Sequence, residues 1–524
     1  MLKMYKQLSK MNKQTVAVLD FGSQYTQLIA RRIREQNVYS EIFPHTITAE
    51  DLGKKNISAV ILSGGPSSVC DSQAPQVDTD ILNMRTPVLG ICYGLHLMIS
   101  NAGGNVLHKG QGEYGFAKIH FEGKSLLLEN LSAESQVWMS HGDEIDSLGN
   151  GFKTIARSSN NIIAAIHHQD KPLFGVQFHP EVVHTVEGDT IISNFLFNIA
   201  KCKPDWTAAN FISETISKIQ DITGENGKVI TGLSGGVDSS VVGTLLHKAI
   251  RARSTCVFID HGLLRKNEAE QVMGSLKDGL GLNIHKYDYA DKFLSKLKGV
   301  TDPEKKRKII GEQFIRAFEA AAKDNENAQF LAQGTLYPDV IESGGSALGP
   351  AVTIKSHHNV GGLPEDMDFE LIEPIRDLFK DEVRNVGREL GLPDFVIDRH
   401  PFPGPGLAVR ILGEITEEHL RILQEADHIF IEILHESGEY KNIWQAFAVL
   451  VPTKTVGVMG DARTYENLIA LRAVTSIDGM TADYYDLPHE ILNRCSSEII
   501  NKVKGVNRVV YDITSKPPGT IEWE

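Results

Sequence analysis

Short apolar runs that end in a glycine turn and feed a helix recur along this chain, and no other feature narrows its fold so far. TVAVLDFG (15–22) is followed by QYTQLIARRIREQ, whose apolar spacing suits a helix. KNISAVILSGGPSSV (55–69) repeats the plan of strand and glycine loop, and TPVLGICYGLHLMISNAG (86–103) passes from strand to helix almost without a linker. A second series begins at KVITGLSGGVDSS (228–240) and runs through STCVFIDHGLLRK (254–266), LNIHKYDY (282–289) and AQFLAQGTLYPDVIE (328–342). Strands separated by helices run in one direction, because each helix carries the chain back along the sheet. The expected fold is α/β, with two Rossmann-like parallel-sheet domains followed by a small α+β C-terminal domain.

A chain of 524 residues is too long for one core. KCKPDWTAAN (201–210) reads as a join, and RHPFPGPGLAVRI (399–411) is too rich in proline and glycine for a helix or a central strand. The domains expected are residues 14–203, 208–395 and 396–524, the last with strands such as AFAVLVP and RVVYDITSKPPGTIEWE. Polar, β-prone stretches fill 105–185. A net charge of −14 argues against a nucleic-acid or anionic-membrane binder, and no run of eighteen apolar residues offers a membrane span. The five cysteines, at 70, 92, 202, 256 and 495, form no CxxC pair. That pattern excludes a disulfide scaffold and a structural zinc site, and suits the reducing cytoplasm. The basic leader MLKMYKQLSKMNKQ lacks a continuous apolar segment and a small-residue cleavage site, so it does not read as a signal peptide.

Cys92 sits where VLGI ends and GLHLMI begins, flanked by Gly90 and Gly94. These glycines allow the sharp strand-to-helix turn of a nucleophile elbow, and amides at a helix start favour a thiolate. An isolated cysteine is more often a small buried hydrophobe, and the elbow by itself leaves both readings open. QFHPE sets His179 and Glu181 two residues apart after an apolar strand, so a base and the carboxylate that orients it can share one side. SGGPSSV (63–69) supplies backbone amides suited to an oxyanion hole, with the amide of Tyr93 as partner. The GICYG elbow, GGP loop and FHPE pair together resemble the class I glutamine amidotransferases over about residues 14–200. That resemblance implies a thioester between Cys92 and the amide carbon of L-glutamine. It makes His179 general base and acid, Glu181 its orienting partner, and Gly65 and Tyr93 the oxyanion donors. His141 in WMSHGDEI matches a signature of the same family, yet reads equally well as structure and stands outside the triad.

The loop SGGVDSS lacks the lysine of a Walker motif. Ser234, Gly235, Gly236, Val237, Asp238, Ser239 and Ser240 bring amides and hydroxyls to a helix start, where anionic oxygens are held. Asp238 suits Mg2+ beside a phosphate; a plain helix cap is the alternative. The loop resembles that of the N-type ATP pyrophosphatases, which split ATP between α and β phosphates and leave AMP on an acceptor oxygen. FIDHGLLRKNE, QGTLYPDVIES, SHHNVGGLP and HPFPGPGLAVR extend the likeness. From about residue 14 to the terminal IEWE, the chain resembles the family of glutamine-hydrolysing GMP synthases.

This resemblance implies ATP and Mg2+ at the 234–240 loop, with Asp260, His261 and Gly262 at the end of the next strand contacting the nucleotide. Asp339 would help place metal or ATP, a helix cap being the alternative. For XMP it implies Arg316, Lys355, Pro401, Gly404, Gly406, Thr514, Ser515, Lys516 and Glu522. The charged run 296–310 is expected as a lid or as a solvated helix face. Partners implied are XMP, ATP and L-glutamine, and a second copy through the C-terminal domain, with no nucleic acid and no membrane. A glutamine-dependent NAD synthetase shares the SGG loop but uses another glutaminase. The small subunit of carbamoyl-phosphate synthetase shares the glutaminase but has no SGGVDSS half. A scaffold that kept the folds would be expected to lack a nucleophile, base or loop residue.

Overall fold

The computed structural model describes residues 13–325, 328–343, 369–459, 462–476, 479 and 481–524. Lys355, with the SHHNVGGLP stretch, and the leader up to residue 12 lie outside the described residues. The chain divides into two compact units, one ending at Phe211 and the other spanning Ile212–Glu524.

In the first unit, nine strands among the described residues form one sheet: β1 (Thr15–Asp20), β2 (Ser40–Pro44), β3 (Ile57–Leu62), β4 (Val88–Ile91), β5 (Asn105–Phe121), β6 (Glu134–Ser147), β7 (Phe152–Ser158), β8 (Ile163–His168) and β9 (Leu173–Val176). Their order is β2-β1-β3-β4-β9-β8-β7-β5-β6. From β2 to β9 the neighbours are parallel, as the strand–helix alternation predicts. From β9 onward every pair is antiparallel. The β-prone stretch 105–185 thus flanks the parallel sheet, because its strands are joined without the crossover helices that a parallel pair needs. Val16–Leu19 of β1 and all of β4 are buried, which is why those strands read as unbroken apolar runs.

In the second unit, β10 (Val229–Gly232), β11 (Ser254–Asp260), β12 (Ile284–Asp288), β13 (Phe330–Ala332) and β14 (Glu370–Ile372) form a fully parallel sheet in the order β12-β11-β10-β13-β14. Strand order reverses between β10 and β13, so a crevice opens at the carboxyl end of β10. The SGGVDSS loop leaves β10 at that point. A third sheet contains β15 (Gln445–Met459), β16 (Ala462–Thr475), β17 (Asp483–Tyr484) and β18 (Val506–Tyr511). β15 and β16 are a long antiparallel pair, with β18 parallel to β16. The helices Glu417–Glu436 and His489–Lys502 bury their apolar stripes with this sheet. One continuous core links Phe430, Leu450 and Cys495 to Leu263, Phe293 and Ile310 beside the β10–β14 sheet.

The run 296–310 ends the helix Ala290–Leu297 and starts the helix Pro303–Lys323, which Asp302 caps by accepting from the Lys305 amide at 2.8 Å. Lys306 is not part of a solvated face. Its side chain is fully buried, with Nζ donating to the carbonyls of Ile411 (2.7 Å) and Ala408 (3.3 Å) and paired with the Glu524 carboxylate.

Candidate active site

Cys92 occupies the sharp turn between β4 and the helix Tyr93–Asn101, at φ 50° and ψ −104°. A non-glycine residue held at positive φ is strained, a conformation that clusters at functional sites. The flanking glycines explain how the chain tolerates the turn. A Cβ on Gly94 would sit 2.4 Å from the Leu62 carbonyl oxygen, and one on Gly90 would sit 2.7 Å from the backbone of Gly94. The loop after β3 lies against the same spot: a Cβ on Gly64 would meet the His179 ring at 3.3 Å and the Cys92 side chain at 3.7 Å. The neighbouring Gly65 is pressed on Phe21, whose carbonyl oxygen lies 2.7 Å from a Cβ built there.

His179 follows β9, and its Nδ1 donates to Glu181 Oε1 at 2.7 Å, leaving Nε2 for Cys92. The segment is held by backbone contacts: His179 N donates to the Trp138 carbonyl (3.0 Å), Thr185 Oγ1 to the His179 carbonyl (2.5 Å), and Arg32 Nε to the Glu181 carbonyl (2.9 Å). The Tyr25 ring lies edge-on to the imidazole at 5.0 Å. Burial alone would keep the imidazole neutral, but the hydrogen bonds to Cys92 and Glu181 and their charges prevail and raise its pKa to about 10. His141 stands apart from this pair. It is buried, its Nδ1 lies 2.9 Å from the Asp143 carbonyl, and its Nε2 is 3.7 Å from Glu113.

The second constellation opens at the end of β10. Gly235 adopts φ 74° and Gly236 caps the helix Val237–Ile250. Ser239 Oγ accepts from Ser234 N at 3.1 Å and lies 3.1 Å from Ser234 Oγ, which ties the loop to the first helical turn. Ser240 is buried and donates back to the Gly236 carbonyl at 2.8 Å, while Val237 buries its side chain and can offer a ligand only backbone. Asp238 points to Lys380 Nζ, which reaches both carboxylate oxygens at 2.8 and 2.6 Å. Arg399 donates to the Gly235 carbonyl (3.0 Å) and pairs with Glu268 (2.6 Å). Asp260, at the end of β11, pairs with Lys286 at 3.0 Å and accepts from Gly262 N at 3.3 Å. His261 is buried, which pushes its pKa down to about 4, and its Nδ1 accepts from Leu263 N.

The remaining expected residues are dispersed. Asp339 lies within the first turn of the helix Tyr337–Ser343 and not at its N-cap; its Oδ2 reaches back to accept from Leu336 N at 2.9 Å. Arg316 is exposed and paired with Glu312 one turn earlier. Gly406, at φ 64°, brings the Pro-Gly run against the loop after β11: a Cβ there would lie 2.4 Å from the Leu263 carbonyl oxygen and 3.1 Å from the His261 ring. Gly404 has open space around it. The Pro401 carbonyl and the Glu522 carboxylate are joined through Gln445, at 2.9 and 2.8 Å, and fully buried Arg410 grips Glu522 at 3.0 and 2.9 Å. Elsewhere, Ser515 and Lys516 line a cavity of about 350 Å3 with Thr475, Ser476, Thr481, Ala482 and Asp483. Within it Ser515 donates to Asp483 (2.6 Å) and Lys516 to the Gly479 carbonyl (2.8 Å); neighbouring Thr514 donates its amide to Asp512 (2.9 Å).

Lys380 and Arg399 did not stand out as site residues in the sequence. One signal was present: Lys380 opens the helix Lys380–Leu390, where a cation opposes the helix dipole, so another partner for it was to be expected. Arg399 carried no comparable mark.

Comparison with known proteins adds a second line. Residues 17–199 match the class I glutamine amidotransferase family, 208–325 the NAD synthase family, and 432–523 the GMP synthase C-terminal domain. A GMP synthase (glutamine-hydrolyzing) of Maridesulfovibrio salexigens is 55% identical over 97% of this chain and 99% of its own length. One from Listeria innocua is 54% identical with both chains covered in full, and one from Carboxydothermus hydrogenoformans is 55% identical over 97% of this chain and 99% of its own. An amidotransferase match and an NAD synthase match therefore share one chain with a GMP synthase C-terminal domain, at more than 50% identity end to end. The chain belongs to the family of glutamine-hydrolysing GMP synthases.

Proposed function

We infer that the chain converts XMP, ATP, L-glutamine and water into GMP, AMP, diphosphate and L-glutamate. The observation that carries this reading is the end-to-end identity to GMP synthases of a chain that also holds a Cys–His–Glu constellation and an SGGVDSS loop.

In the first half-reaction the Cys92 thiolate attacks the amide carbon of glutamine while His179 holds the thiol's proton, as its raised pKa requires. It returns that proton to the departing nitrogen, so ammonia leaves and a thioester remains; water then releases glutamate. Glu181 keeps the imidazole in the tautomer that serves Cys92. The amides of Gly65 and Tyr93 receive the oxyanion, a role supported by their lacking a protein acceptor among the described residues.

In the second, the C2 oxygen of XMP attacks the α-phosphorus of ATP and diphosphate departs. Ammonia then displaces AMP from C2, a step that needs adenylylation because AMP is a far better leaving group than an amide-like oxygen. Residues 234–240 hold the phosphates, with Lys380 adding a cation that the missing Walker lysine would otherwise supply. Asp238 fits Mg2+ through its hard oxygen donors at the loop mouth, with Asp339 as the second carboxylate; bound there, the ion would neutralise charge on the phosphate oxygens. Asp260, His261 and Gly262 contact the nucleotide. XMP is assigned to Arg316, Lys355, the 401–406 run, Thr514, Ser515, Lys516 and Glu522, with the Lys516 cavity as the phosphate seat.

Dimerisation belongs to the same proposal. Val456, Val458, Tyr465 and Ile513 stand 54%, 72%, 58% and 65% exposed in the C-terminal region, an apolar surface that a second copy would cover. Solution mass should then be twice 57.8 kDa. A cytoplasmic setting accompanies it; no described helix is long and apolar enough to cross a membrane. The deciding assay supplies XMP, ATP and glutamine and follows products: GMP, AMP and diphosphate are expected, and ADP with inorganic phosphate would refute the reaction.

A further inference from the structure

Two buried polar side chains near Cys92 are left unused by the mechanism above. Gln177 is 0% and His96 is 3% exposed. Gln177 lies two residues before His179, just past the end of β9 at Val176. His96 lies one turn beyond Cys92 on the helix Tyr93–Asn101. His96 Nε2 is 2.7 Å from Gln177 Oε1, and Gln177 Nε2 is 3.8 Å from Cys92 Sγ, within reach of a donor to sulfur.

We propose that His96 and Gln177 form a second hydrogen-bonded arm on Cys92, separate from His179, which favours the thiolate and holds it in the elbow. The inference rests on Cys92 being the nucleophile.

The polarity of the arm follows from its donor inventory. A carboxamide oxygen only accepts, so the imidazole nitrogen facing it must carry a proton. That bond fixes the amide with its NH2 turned to sulfur. Reversed, the amide would need the other His96 tautomer and would put its oxygen against a developing thiolate. Besides His179, sulfur has two partners according to its state. As a thiol it can donate to the Ser140 carbonyl at 3.8 Å; as a thiolate it loses that bond and keeps the Gln177 donor. The arm therefore works on the charged form.

The charged and titratable groups facing His96 and Cys92 are Asp143 and His141 on β6 and His179 after β9. Burial pushes the His96 pKa down to about 4, outweighing its bond to Gln177 and the Asp143 charge. The ring thus stays neutral over the pH range of catalysis, and the arm delivers a donor without a second positive charge. These are positioning residues, since neither meets the reacting carbon.

The test uses the full chain and follows the rate of Cys92 alkylation by iodoacetamide against pH, with glutamine hydrolysis and ammonia-dependent GMP formation alongside. Gln177→Met should slow alkylation at neutral pH by about 10- to 100-fold, the range of a hydrogen bond to a charged group, and move the profile to higher pH. Gln177→Glu keeps the shape, places a carboxylate at sulfur and should move it further, so a folding defect in one variant leaves the other decisive. His96→Leu should weaken alkylation, and His96→Gln, which restores a donor toward Gln177, should recover much of it. Ammonia-dependent GMP formation should stay unchanged throughout. Gln177 profiles that overlay the parent enzyme would overturn the arm while leaving Cys92 as nucleophile. Glutamine hydrolysis surviving in Cys92→Ala would instead overturn the reading on which the arm rests.

Discussion

His179 is pulled in two directions, and the outcome has a measurable sign. Its pKa is raised from 6.5 to about 10 in the folded chain, so the native state binds a proton that the unfolded state releases. The stabilisation is fully present below pH 6.5 and is lost as pH rises toward 10. The stability gap between the parent and His179→Gln, read by thermal unfolding of the glutaminase unit, should therefore be widest near pH 6 and close toward pH 10; a gap that widens with pH would contradict the paired imidazolium. At this scale the sequence was legible where partners are close in the chain. Cys92 announced itself through Gly90 and Gly94, and His179 through Glu181 two residues on. Gln177 stood in the quoted QFHPE motif yet gave no hint of use, because its partners lie 81 and 85 residues away. Lys380, 142 residues from Asp238, was hidden for the same reason.

Among elements, the helix Pro303–Lys323 carries the least expected result. Its start was readable from Asp302 and Pro303, a capping residue followed by proline at the first position. Its packing was not, since the KKRK run reads as solvated in any window of sequence. Burial of Lys306 depends on carbonyls at 408 and 411 and a carboxylate at 524. Lys306→Met would remove the cation from the Glu524 carboxylate, which keeps the Gly413 amide at 3.1 Å, and leave those carbonyls without their donor. It should destabilise the second unit by about 3 kcal/mol, seen as a lower urea midpoint for that unit. Substitution of Lys305, exposed on the same turn, should leave the midpoint almost unchanged. The β-rich stretch 105–185 was recognised as strand-forming, but its antiparallel attachment at β9 depends on strand pairing that spacing does not encode.

For the whole molecule, the division into two compact units predicts separable chemistry. Cys92→Ala should abolish glutamine-dependent GMP formation while GMP still forms from added ammonia. Asp238→Ala should stop GMP formation from either nitrogen source and leave glutamine binding to the first unit intact. Loss of ammonia use in the first variant, or normal synthesis in the second, would contradict that division of labour.

Local sequence determined the elbow, the glycine loop, the His–Glu pair and the alternation that makes the β2-to-β9 part of the first sheet and all of the second parallel. Each depends on residues within a turn or two of one another, where backbone geometry leaves few choices. Tertiary structure alone decided which distant groups complete them: Lys380 on Asp238, Arg399 on Gly235, Arg410 on Glu522, Gln177 and His96 behind Cys92. A buried charge or amide is tolerated only beside a specific partner. That partner is chosen by how sheets and helices pack, over distances in the chain that no motif spans.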